Sequence, residues 1–393
     1  MGKRVAVFTS DLYQGGVAES TRKIVDHLSD TCTVDVIVYD TTPILKKVKC
    51  ANIVRLNLPL SANFSTSKFN LLCKKIFRYP ALLIAVFKLY RYKVKYKPDV
   101  IYSMTYIPNI VNVLVSLMLG ESCKTILSER QDPRKDLVEG TFLTYILKFL
   151  YKRSDVIHAN SNEMIRSIET FYRVPRSKIF HLDNFFVLDD IKKLSREGIE
   201  HDYEYIFNNF KVIVTAGRLS KQKGQWHLID AFDALCKSND AYRLVILGEG
   251  ELRNFLEDRV KKYKLEDKVF FLGNVDNPHK YIARSHLFIF TSLWESFGNC
   301  LVEAMALDIP IISTECESGP GYIIDGGNYG LSLGKLSDDL SEISRSDVIK
   351  IVDSVKFFEN EDNHKRFSLK SYDRAKFFDV DELKDKIDKL FQI

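Results

Sequence analysis

Residues 286–314 constrain the fold more than any other part of this sequence, because they read as a strand, a loop, a helix and a second strand in succession. An apolar run from His286 to Phe290 ends in a polar turn, Gly298-Asn299 opens an apolar-periodic helix, and Pro310 begins the next buried strand. This order is that of a Rossmann-like unit in an open α/β sheet. Ligands of such sheets bind in the crevice at the carboxyl ends of the strands.

Two glutamates of this segment are predicted to lie at that crevice. Glu295 is on the loop after the first strand, and Glu303 is about one turn into the helix. Carboxylates beside a bound phosphate suit the hydroxyls of an attached ribose or sugar, because they accept hydrogen bonds from vicinal diols. A helix amino terminus attracts phosphate, and the backbone N–H groups predicted to point into the crevice are those of Phe297, Gly298, Asn299 and Cys300. The alternative is one helix-start glutamate and one surface glutamate.

A second strand, turn and helix, residues 211–232, carries two cations at the turn. Arg218 and Lys223 are five positions apart, with Gly217 and Gly224 beside them. A guanidinium and an ammonium at the carboxyl end of a strand would neutralise a diphosphate. A solvated charged loop is the alternative for this turn taken alone. One cationic loop and one diol-binding loop together predict a site for a nucleotide diphosphate that carries a sugar.

These residues resemble glycosyltransferase family 4, whose members are retaining, nucleotide-sugar-dependent enzymes of the GT-B fold. The resemblance is strong over roughly 211–330 and weaker before it. It implies that Arg218 and Lys223 hold the donor diphosphate, that Glu295 contacts the transferred sugar and that Glu303 binds the ribose. The motifs that carry it are Gly217-Arg218-Leu219, Lys223-Gly224, Glu295-Ser296-Phe297-Gly298-Asn299 and Glu303-Ala304. Ser318-Gly319-Pro320 is similar to a subgroup that builds bacterial surface polysaccharides and lipid-linked oligosaccharides.

The predicted fold class is α/β, of GT-B type, with two Rossmann-like domains facing across a cleft. Residues 1–190 are predicted to form an acceptor-binding domain and 191–374 a nucleotide-sugar-binding domain, separated near the polar segment Asp189 to Asn209. A terminal helix within 375–393 crosses back to the first domain, as the resemblance implies. The predicted strands are 4–9, 34–39, 52–56, 99–103, 124–128, 155–159, 178–182, 211–216, 243–248, 268–272, 286–290 and 310–313.

The amino-terminal half contributes candidate residues of its own. Gly15-Gly16 follows the first strand and precedes a helix, where glycines let the backbone approach a phosphate. A plain tight turn is the alternative, but the pair matches family glycines that face the donor diphosphate. Glu129 is a candidate to accept the proton of the acceptor hydroxyl, and Arg130 to bind a phosphate or carboxylate. A buried structural ion pair is the alternative for these two. The loop 102–106 lacks the histidine that many family members carry there.

Several metal and cofactor classes are disfavoured. Seven cysteines, an odd number with no Cys-x-x-Cys pair, argue for reduced thiols and against a disulfide framework or zinc. Asp379-Val380-Asp381 leads straight into the last helix, so capping explains it better than metal binding. We therefore expect no metal and no cofactor, with the nucleotide sugar as a substrate.

Charge is strongly asymmetric along the chain. Residues 41–98 contain 13 Lys or Arg and no Asp or Glu, and residues 68–97 interleave these cations with Phe, Tyr and Leu. Nucleic acid and an anionic membrane both suit such a segment, but its apolar content favours the membrane. A core helix with a solvated basic face is the alternative. The longest apolar stretch, 107–119, is too short and too polar to span a bilayer, and the amino terminus reads as a strand rather than a signal peptide.

These patterns predict a cytoplasmic enzyme bound peripherally to the inner membrane face through 68–97. Its predicted reaction is transfer of a sugar from a UDP-sugar to a glycan or lipid-linked glycan acceptor of cell-surface polysaccharide synthesis, and the family resemblance implies that the transfer proceeds with retention. A GT-B nucleotide-sugar epimerase or hydrolase is one alternative, and a binding-only GT-B protein is the other. The basic apolar segment argues against the first, and the charged set Arg218, Lys223, Glu295 and Glu303 argues against the second.

Overall fold

The computed structural model describes residues 2–12, 16–39, 48–58, 68–120, 123–130, 132–137, 139–316, 319–342 and 344–392, with the side chains of all of these except 68–79, 135, 136 and 142. The chain forms two compact units. Unit 1 is Met1–Phe185 with Lys384–Ile393, and unit 2 is Phe186–Leu383. The predicted domain division at 190/191 lies close to the first of these limits.

Unit 1 is built on a parallel sheet. Its strands are β1 (Arg4–Thr9), β2 (Thr33–Val38), β3 (Asn52–Arg55), β4 (Val100–Met104), β5 (Lys124–Glu129), β6 (Val156–Ala159) and β7 (Ile179–His181). Its helices are α1 (Gly16–Leu28), α2 (Lys68–Tyr96), α3 (Tyr106–Leu119), α4 (Pro133–Asp136), α5 (Phe142–Tyr151) and α6 (Asn162–Tyr172). The strand order is β3-β2-β1-β4-β5-β6-β7, so the direction of winding reverses between β1 and β4.

Unit 2 repeats this architecture. It contains α7 (Leu188–Ser195), α8 (His201–Asn209), β8 (Lys211–Ala216), α9 (Gln225–Ser238), β9 (Tyr242–Leu247), α10 (Arg253–Lys262), β10 (Val269–Gly273), α11 (His279–Ile282), β11 (Leu287–Phe290), α12 (Asn299–Met305), β12 (Ile311–Ser313), α13 (Pro320–Ile324), β13 (Leu331–Ser332), α14 (Arg345–Phe357) and α15 (Glu361–Lys376). The order β10-β9-β8-β11-β12-β13 reverses between β8 and β11. The last helix, α16 (Val380–Phe391), begins in unit 2 and ends in unit 1.

Hydrophobic side chains cover both faces of the unit 2 sheet. Alternate residues of β8 join different clusters, since Val212 and Val214 pack in one and Ile213 packs in the other. The same alternation places Phe288 in the first cluster and Ile289 in the second. Period-two alternation of buried residues is what a parallel sheet between two helix layers requires. The predicted doubly wound architecture is confirmed.

Helices α7 and α8 occupy most of the segment between the last strand of the first sheet and the first strand of the second. Most of the predicted boundary segment, Asp189 to Asn209, lies in α7 and α8, and Leu188, Ile191 and Ile206 pack into the core of unit 2. In unit 1, helix α2 contains Pro80 within its length. No helix among the described residues is long and apolar enough to cross a membrane.

Candidate active site

The two loops singled out from the sequence lie side by side in unit 2. Strands β8 and β11 are hydrogen-bonded neighbours, with Phe288 opposite Val214. Their carboxyl ends mark the point where the strand order reverses, which is the usual ligand position in such sheets. The loops are also joined directly. The backbone N–H of Leu293 donates to the carbonyl of Gln222 at 2.7 Å, and Gln222 Nε2 donates to the carbonyl of Trp294 at 2.9 Å.

An ion pair connects the two loops at the predicted site. Lys223 Nζ donates to Glu295 Oε1, and their side chains are only 18% and 11% exposed. Burial lowers the pKa of Lys223, but the Glu295 carboxylate more than compensates, so the pKa lies above its usual value. The ammonium also lies 5.3 Å from the centroid of the Phe290 ring. The residue predicted to hold the diphosphate and the residue predicted to contact the sugar therefore bind each other.

Two glycines permit this arrangement. At Gly217, a Cβ would lie 3.2 Å from Cε of Lys223, so the lysine side chain packs against bare backbone. Gly224 has φ +63°, and a Cβ there would overlap the carbonyl oxygen of Thr291. Thr291 Oγ1 in turn donates to the carbonyl of Lys223 at 3.0 Å. The close approach of the two loops thus depends on the missing side chain at Gly224.

Arg218 and Glu303 are placed on the same two strand–helix connections. Arg218 is exposed, and its carbonyl accepts a hydrogen bond from Gln225 Nε2 at 3.1 Å, so the guanidinium extends from a fixed backbone. Glu303 lies within α12, with a side chain 17% exposed. Its Oε2 lies 3.9 Å from Nε2 of His279, at the start of α11. His279 carried no sequence motif that would mark it as part of the site.

The start of α12 is a tight, apolar turn. Gly298 precedes the helix with φ +103°, and it provides no side chain to cap the helix. Phe297 is 1% exposed, and its carbonyl oxygen packs so closely on Gly319 that a Cβ at Gly319 would overlap it. Burial raises the pKa of the neighbouring Cys300 thiol to about 12, so it is protonated at neutral pH. These residues supply backbone and shape rather than charge, with Asn299 as the first residue of the helix.

In unit 1, a chain of hydrogen bonds fixes Arg130. Its Nη1 donates to Asn184 Oδ1 at 2.6 Å, and its Nη2 donates to the hydroxyl of Tyr102 at 3.0 Å. His158 Nε2 lies 2.8 Å from the carbonyl of Leu182, which can only accept, so Nδ1 is left to accept from Tyr102 at 2.8 Å. Burial, aided by the charge of Arg130, lowers the pKa of His158 to about 3 and keeps the ring neutral.

Arg130 also lines a recess at the carboxyl edge of the unit 1 sheet. Arg130 is 8% exposed, and its Nε has no hydrogen-bond partner among the described residues. The recess is lined by Ser20, Lys23, Ile24, Arg130, His158, Asp183, Asn184 and Phe185. Lys23 and Arg130 bring two cations to it, and Asp183 brings one carboxylate. This geometry is compatible with the predicted anion-binding role of Arg130, which stays a prediction.

Glu129 lies in a different environment from Arg130. It is 1% exposed, and its Oε2 accepts from the hydroxyls of Tyr151 and Tyr172 at 2.9 and 3.1 Å. Its Oε1 accepts from the backbone N–H of Arg130 at 3.2 Å. A carboxylate enclosed in this way favours a structural role over that of a base for an acceptor hydroxyl. Of the paired glycines, Gly15 lies outside the described residues, and Gly16 is the first residue of α1.

Two family models match most of the chain. Residues 200–343 match the model described as "Glycosyl transferases group 1", and residues 14–189 match that described as "Glycosyltransferase Family 4". An uncharacterized glycosyltransferase of Methanocaldococcus jannaschii is 31% identical over 330 residues, which are 77% of this chain and 81% of that protein. The N-acetylgalactosamine-N,N'-diacetylbacillosaminyl-diphospho-undecaprenol 4-alpha-N-acetylgalactosaminyltransferase of Campylobacter jejuni is 29% identical over 276 residues, 69% of this chain and 70% of its own.

Solved structures agree with the fold over the whole chain. The Anabaena protein HepE, crystallised in complex with UDP, superposes with a TM-score of 0.77 at 17% identity and covers 99% of both chains. Sucrose-phosphate synthase from Thermosynechococcus elongatus superposes with a TM-score of 0.76 at 16% identity, covering 99% of this chain and 98% of its own. These similarities confirm the predicted GT-B fold.

Proposed function

The chain belongs to the group 1 glycosyl transferases, and on that premise we propose that it transfers a sugar from a UDP-sugar to a glycan or lipid-linked glycan acceptor, with retention of configuration, in cell-surface polysaccharide synthesis. The family makes it a glycosyltransferase, and the nature of donor and acceptor is the proposal. The sugar we propose is a hexose or N-acetylhexosamine. The observation that carries the donor assignment is the Lys223–Glu295 ion pair at the reversal point of the unit 2 sheet.

In the proposed donor site, different side chains bind the diphosphate charge and the hydroxyl groups of the sugar and ribose. Arg218 and Lys223 face the diphosphate, whose negative charge grows as the bond to the sugar breaks, and cations placed there stabilise the transition state. Glu295, held by Lys223, accepts hydrogen bonds from the sugar, and Glu303 accepts them from the ribose. The backbone at Phe297–Cys300 shapes the pocket around the diphosphate. Because two cations neutralise the leaving group, this mechanism needs no bound metal.

The acceptor side of the proposal rests on unit 1. We assign a phosphate or carboxylate of the acceptor to Arg130, and two observations support this: Arg130 lines a recess, and its Nε has no hydrogen-bond partner among the described residues. We assign the acceptor proton to the donor phosphate rather than to Glu129, since that carboxylate is enclosed by tyrosine hydroxyls. The name of the Campylobacter relative, which contains a diphospho-undecaprenol, supports a lipid-linked acceptor. We therefore place the enzyme in the cytoplasm at the inner membrane face, in contact through residues 68–97.

A thermal-shift screen tests the donor assignment first. UDP, GDP and ADP and their common sugar conjugates are added singly to the full chain. A ligand present at about 100 times its Kd stabilises the folded protein by about 2.7 kcal/mol, which is readily detected as a rise in Tm. We expect UDP and a UDP-sugar to raise the Tm and uridine to leave it unchanged. A response to none of the nucleotide diphosphates would contradict the proposal.

A further inference from the structure

The large apolar side chains that unit 1 exposes are concentrated on three neighbouring helices. Helix α2 packs against α3, and α3 packs against α5. The exposed residues on them are Leu83, Ile84, Phe87, Val94, Leu117, Met118, Tyr145 and Phe149. Among the described residues of unit 1, one other large apolar side chain, Ile53, is exposed. We call this surface the three-helix face. An exposed apolar surface that spans several elements marks an interaction site rather than random exposure.

The exposed residues of α2 form one stripe. Leu83, Phe87 and Val94 recur at helical spacing, and the first two are 71% and 60% exposed. With a rise of about 1.5 Å per residue, the stripe from Leu83 to Val94 is roughly 16 Å long. Helix α5 adds a pair of exposed residues one turn apart, Tyr145 and Phe149, which are 66% and 52% exposed. The surface is therefore broad as well as long.

The same aromatic–arginine pair occurs on two of the helices. On α2, the guanidinium carbon of Arg91 lies 5.9 Å from the ring centroid of Phe87, four residues earlier. After α5, that of Arg153 lies 3.4 Å from the ring centroid of Phe149, again four residues earlier. Each pair presents an apolar ring and a cation at the same level of the surface. Such a pair suits the boundary between lipid phosphates and acyl chains, where amphipathic side chains concentrate.

The charge of the three-helix face selects among possible occupants. The sequences of α2, α3 and α5 contain no Asp or Glu. Glu139, shortly before α5, is paired with Lys148 at 2.8 Å. A symmetric dimer through this face would place cations of one copy opposite cations of the other, which is unfavourable. A nucleic acid would be held by the cations alone and would leave the apolar residues in water. An anionic bilayer surface satisfies both components.

We propose that the three-helix face as a whole, rather than residues 68–97 alone, docks the enzyme on an anionic lipid surface. Phe87 and Phe149 enter the apolar part of the lipid layer, and Arg91 and Arg153 bind the lipid phosphates. The inference extends the proposed function, because an enzyme with a membrane-presented acceptor works at the bilayer. It assigns lipid contact to α3 and α5, which the basic composition of 41–98 does not identify.

Co-sedimentation of the full chain with vesicles tests this surface. The vesicles contain equal parts of phosphatidylglycerol and phosphatidylcholine, and pure phosphatidylcholine vesicles serve as the neutral comparison. We expect strong binding to the anionic vesicles at low salt, weak binding to the neutral ones, and release by salt. Tyr145→Ser with Phe149→Ser should lower the partition coefficient at least about tenfold, because each change removes apolar area from the lipid contact. Arg91→Glu with Arg153→Glu should abolish the preference for anionic vesicles.

Matched controls separate this surface from general exposure. Ile53→Ser in β3 and Tyr205→Ser in α8 change apolar residues that are 42% and 67% exposed elsewhere, and they should bind vesicles like the wild type. The inference is overturned if the wild type stays in the supernatant at low salt, or if the α5 variant binds normally while Phe87→Ser does not. It is also overturned if sedimentation velocity shows a dimer that the α5 variant disrupts. UDP titrations of the same variants in solution are independent of vesicles, so loss of the donor site and loss of docking are distinguishable.

Discussion

The ion pair between Lys223 and Glu295 makes a sharp prediction about nucleotide binding. In the unliganded protein the ammonium already has an anionic partner, and both side chains are less than a fifth exposed, so solvent screens the pair weakly. Lys223→Met removes a charge-assisted hydrogen bond to the diphosphate, which contributes about 1.5–3 kcal/mol. Since 1.4 kcal/mol corresponds to a tenfold change in Kd, UDP should bind roughly ten- to a hundredfold more weakly.

Glu295→Gln should act in the opposite sense on UDP. The change removes a carboxylate that competes with the diphosphate for Lys223 and repels it, so the affinity for UDP should stay the same or rise by up to about tenfold. Turnover of the sugar nucleotide should fall, because the group that orients the sugar is altered. Glu303→Gln should weaken the binding of UDP, since the proposed partner of Glu303 is the ribose. Isothermal calorimetry with UDP and a turnover assay on the three variants separate these effects.

Lys221→Met is the matched control for this series. Lys221 lies two residues before Lys223 in the same turn, its side chain is 47% exposed, and its Nζ lies 3.9 Å from Oδ2 of the exposed Asp338. It should bind UDP like the wild type. The reasoning is refuted if Lys221→Met and Lys223→Met lower the affinity for UDP equally, since general surface charge would then explain binding. It is also refuted if Glu295→Gln loses as much UDP affinity as Glu303→Gln, because the two carboxylates would then share one role.

Three further predictions concern the site and its support. Gly224→Ala should destabilise the protein more than Gly334→Ala, because both glycines have φ near +63° but only at Gly224 would the Cβ meet the Thr291 carbonyl. Gly224→Ala should also weaken UDP binding; thermal unfolding measures the first effect and calorimetry the second. The free energy of unfolding should fall as the pH drops from about 6.5 toward 3, because burial lowers the pKa of His158 and His286 to about 3 while these rings take up protons near pH 6.5 in the unfolded chain. In urea unfolding, the free energy should change by up to about 1.4 kcal/mol per pH unit for each ring, and His158→Gln should reduce this slope. Activity should survive EDTA, and Asp379→Ala with Asp381→Ala should cost about 1 kcal/mol each as helix caps; loss of activity on chelation, restored by magnesium or manganese, would contradict this.

The fold was predictable because its signals are local and repeated. Most strands of the unit 2 core are short apolar runs, and each of β8 to β12 is followed by a turn and then a helix. Parallel pairing then places every such turn at the same edge of the sheet, so Lys223 and Glu295 could be grouped although they are far apart in sequence. Their direct pairing was not predictable, because it depends on side-chain conformations and on the bare backbone at Gly217. His279 was missed for a related reason, since only the packing of α11 beside α12 brings it to Glu303.

Glu129 and Arg130 show where sequence reasoning about chemistry reaches its limit. They are adjacent in the chain at the end of β5, so both were grouped with the acceptor site or with each other. At the end of an extended strand, however, successive side chains point in opposite directions. Glu129 turns toward the tyrosine hydroxyls of α5 and α6, and Arg130 turns toward Tyr102 and Asn184. The backbone N–H of Arg130 also donates to Glu129 Oε1, so the two residues are linked through the backbone while their side chains have different hydrogen-bond partners.

The different surroundings of Glu129 and Arg130 bear on which group accepts the proton of the acceptor hydroxyl. The carboxylate that seemed a candidate base accepts hydrogen bonds from two buried phenols, Tyr151 and Tyr172, and burial and the Glu129 charge raise the pKa of both phenols, so Glu129 is fixed within the core. The loop 102–106, where the family resemblance implies a histidine, leads into a helix that begins at Tyr106, and the Tyr102 hydroxyl is already hydrogen-bonded to His158 and Arg130. The described part of unit 1 therefore holds and shapes the acceptor in our proposal, and the proton of the acceptor hydroxyl passes to the phosphate of the departing nucleotide. In the proposed mechanism, transfer then depends on the cations Arg218 and Lys223 of unit 2, which would stabilise that phosphate as its charge develops.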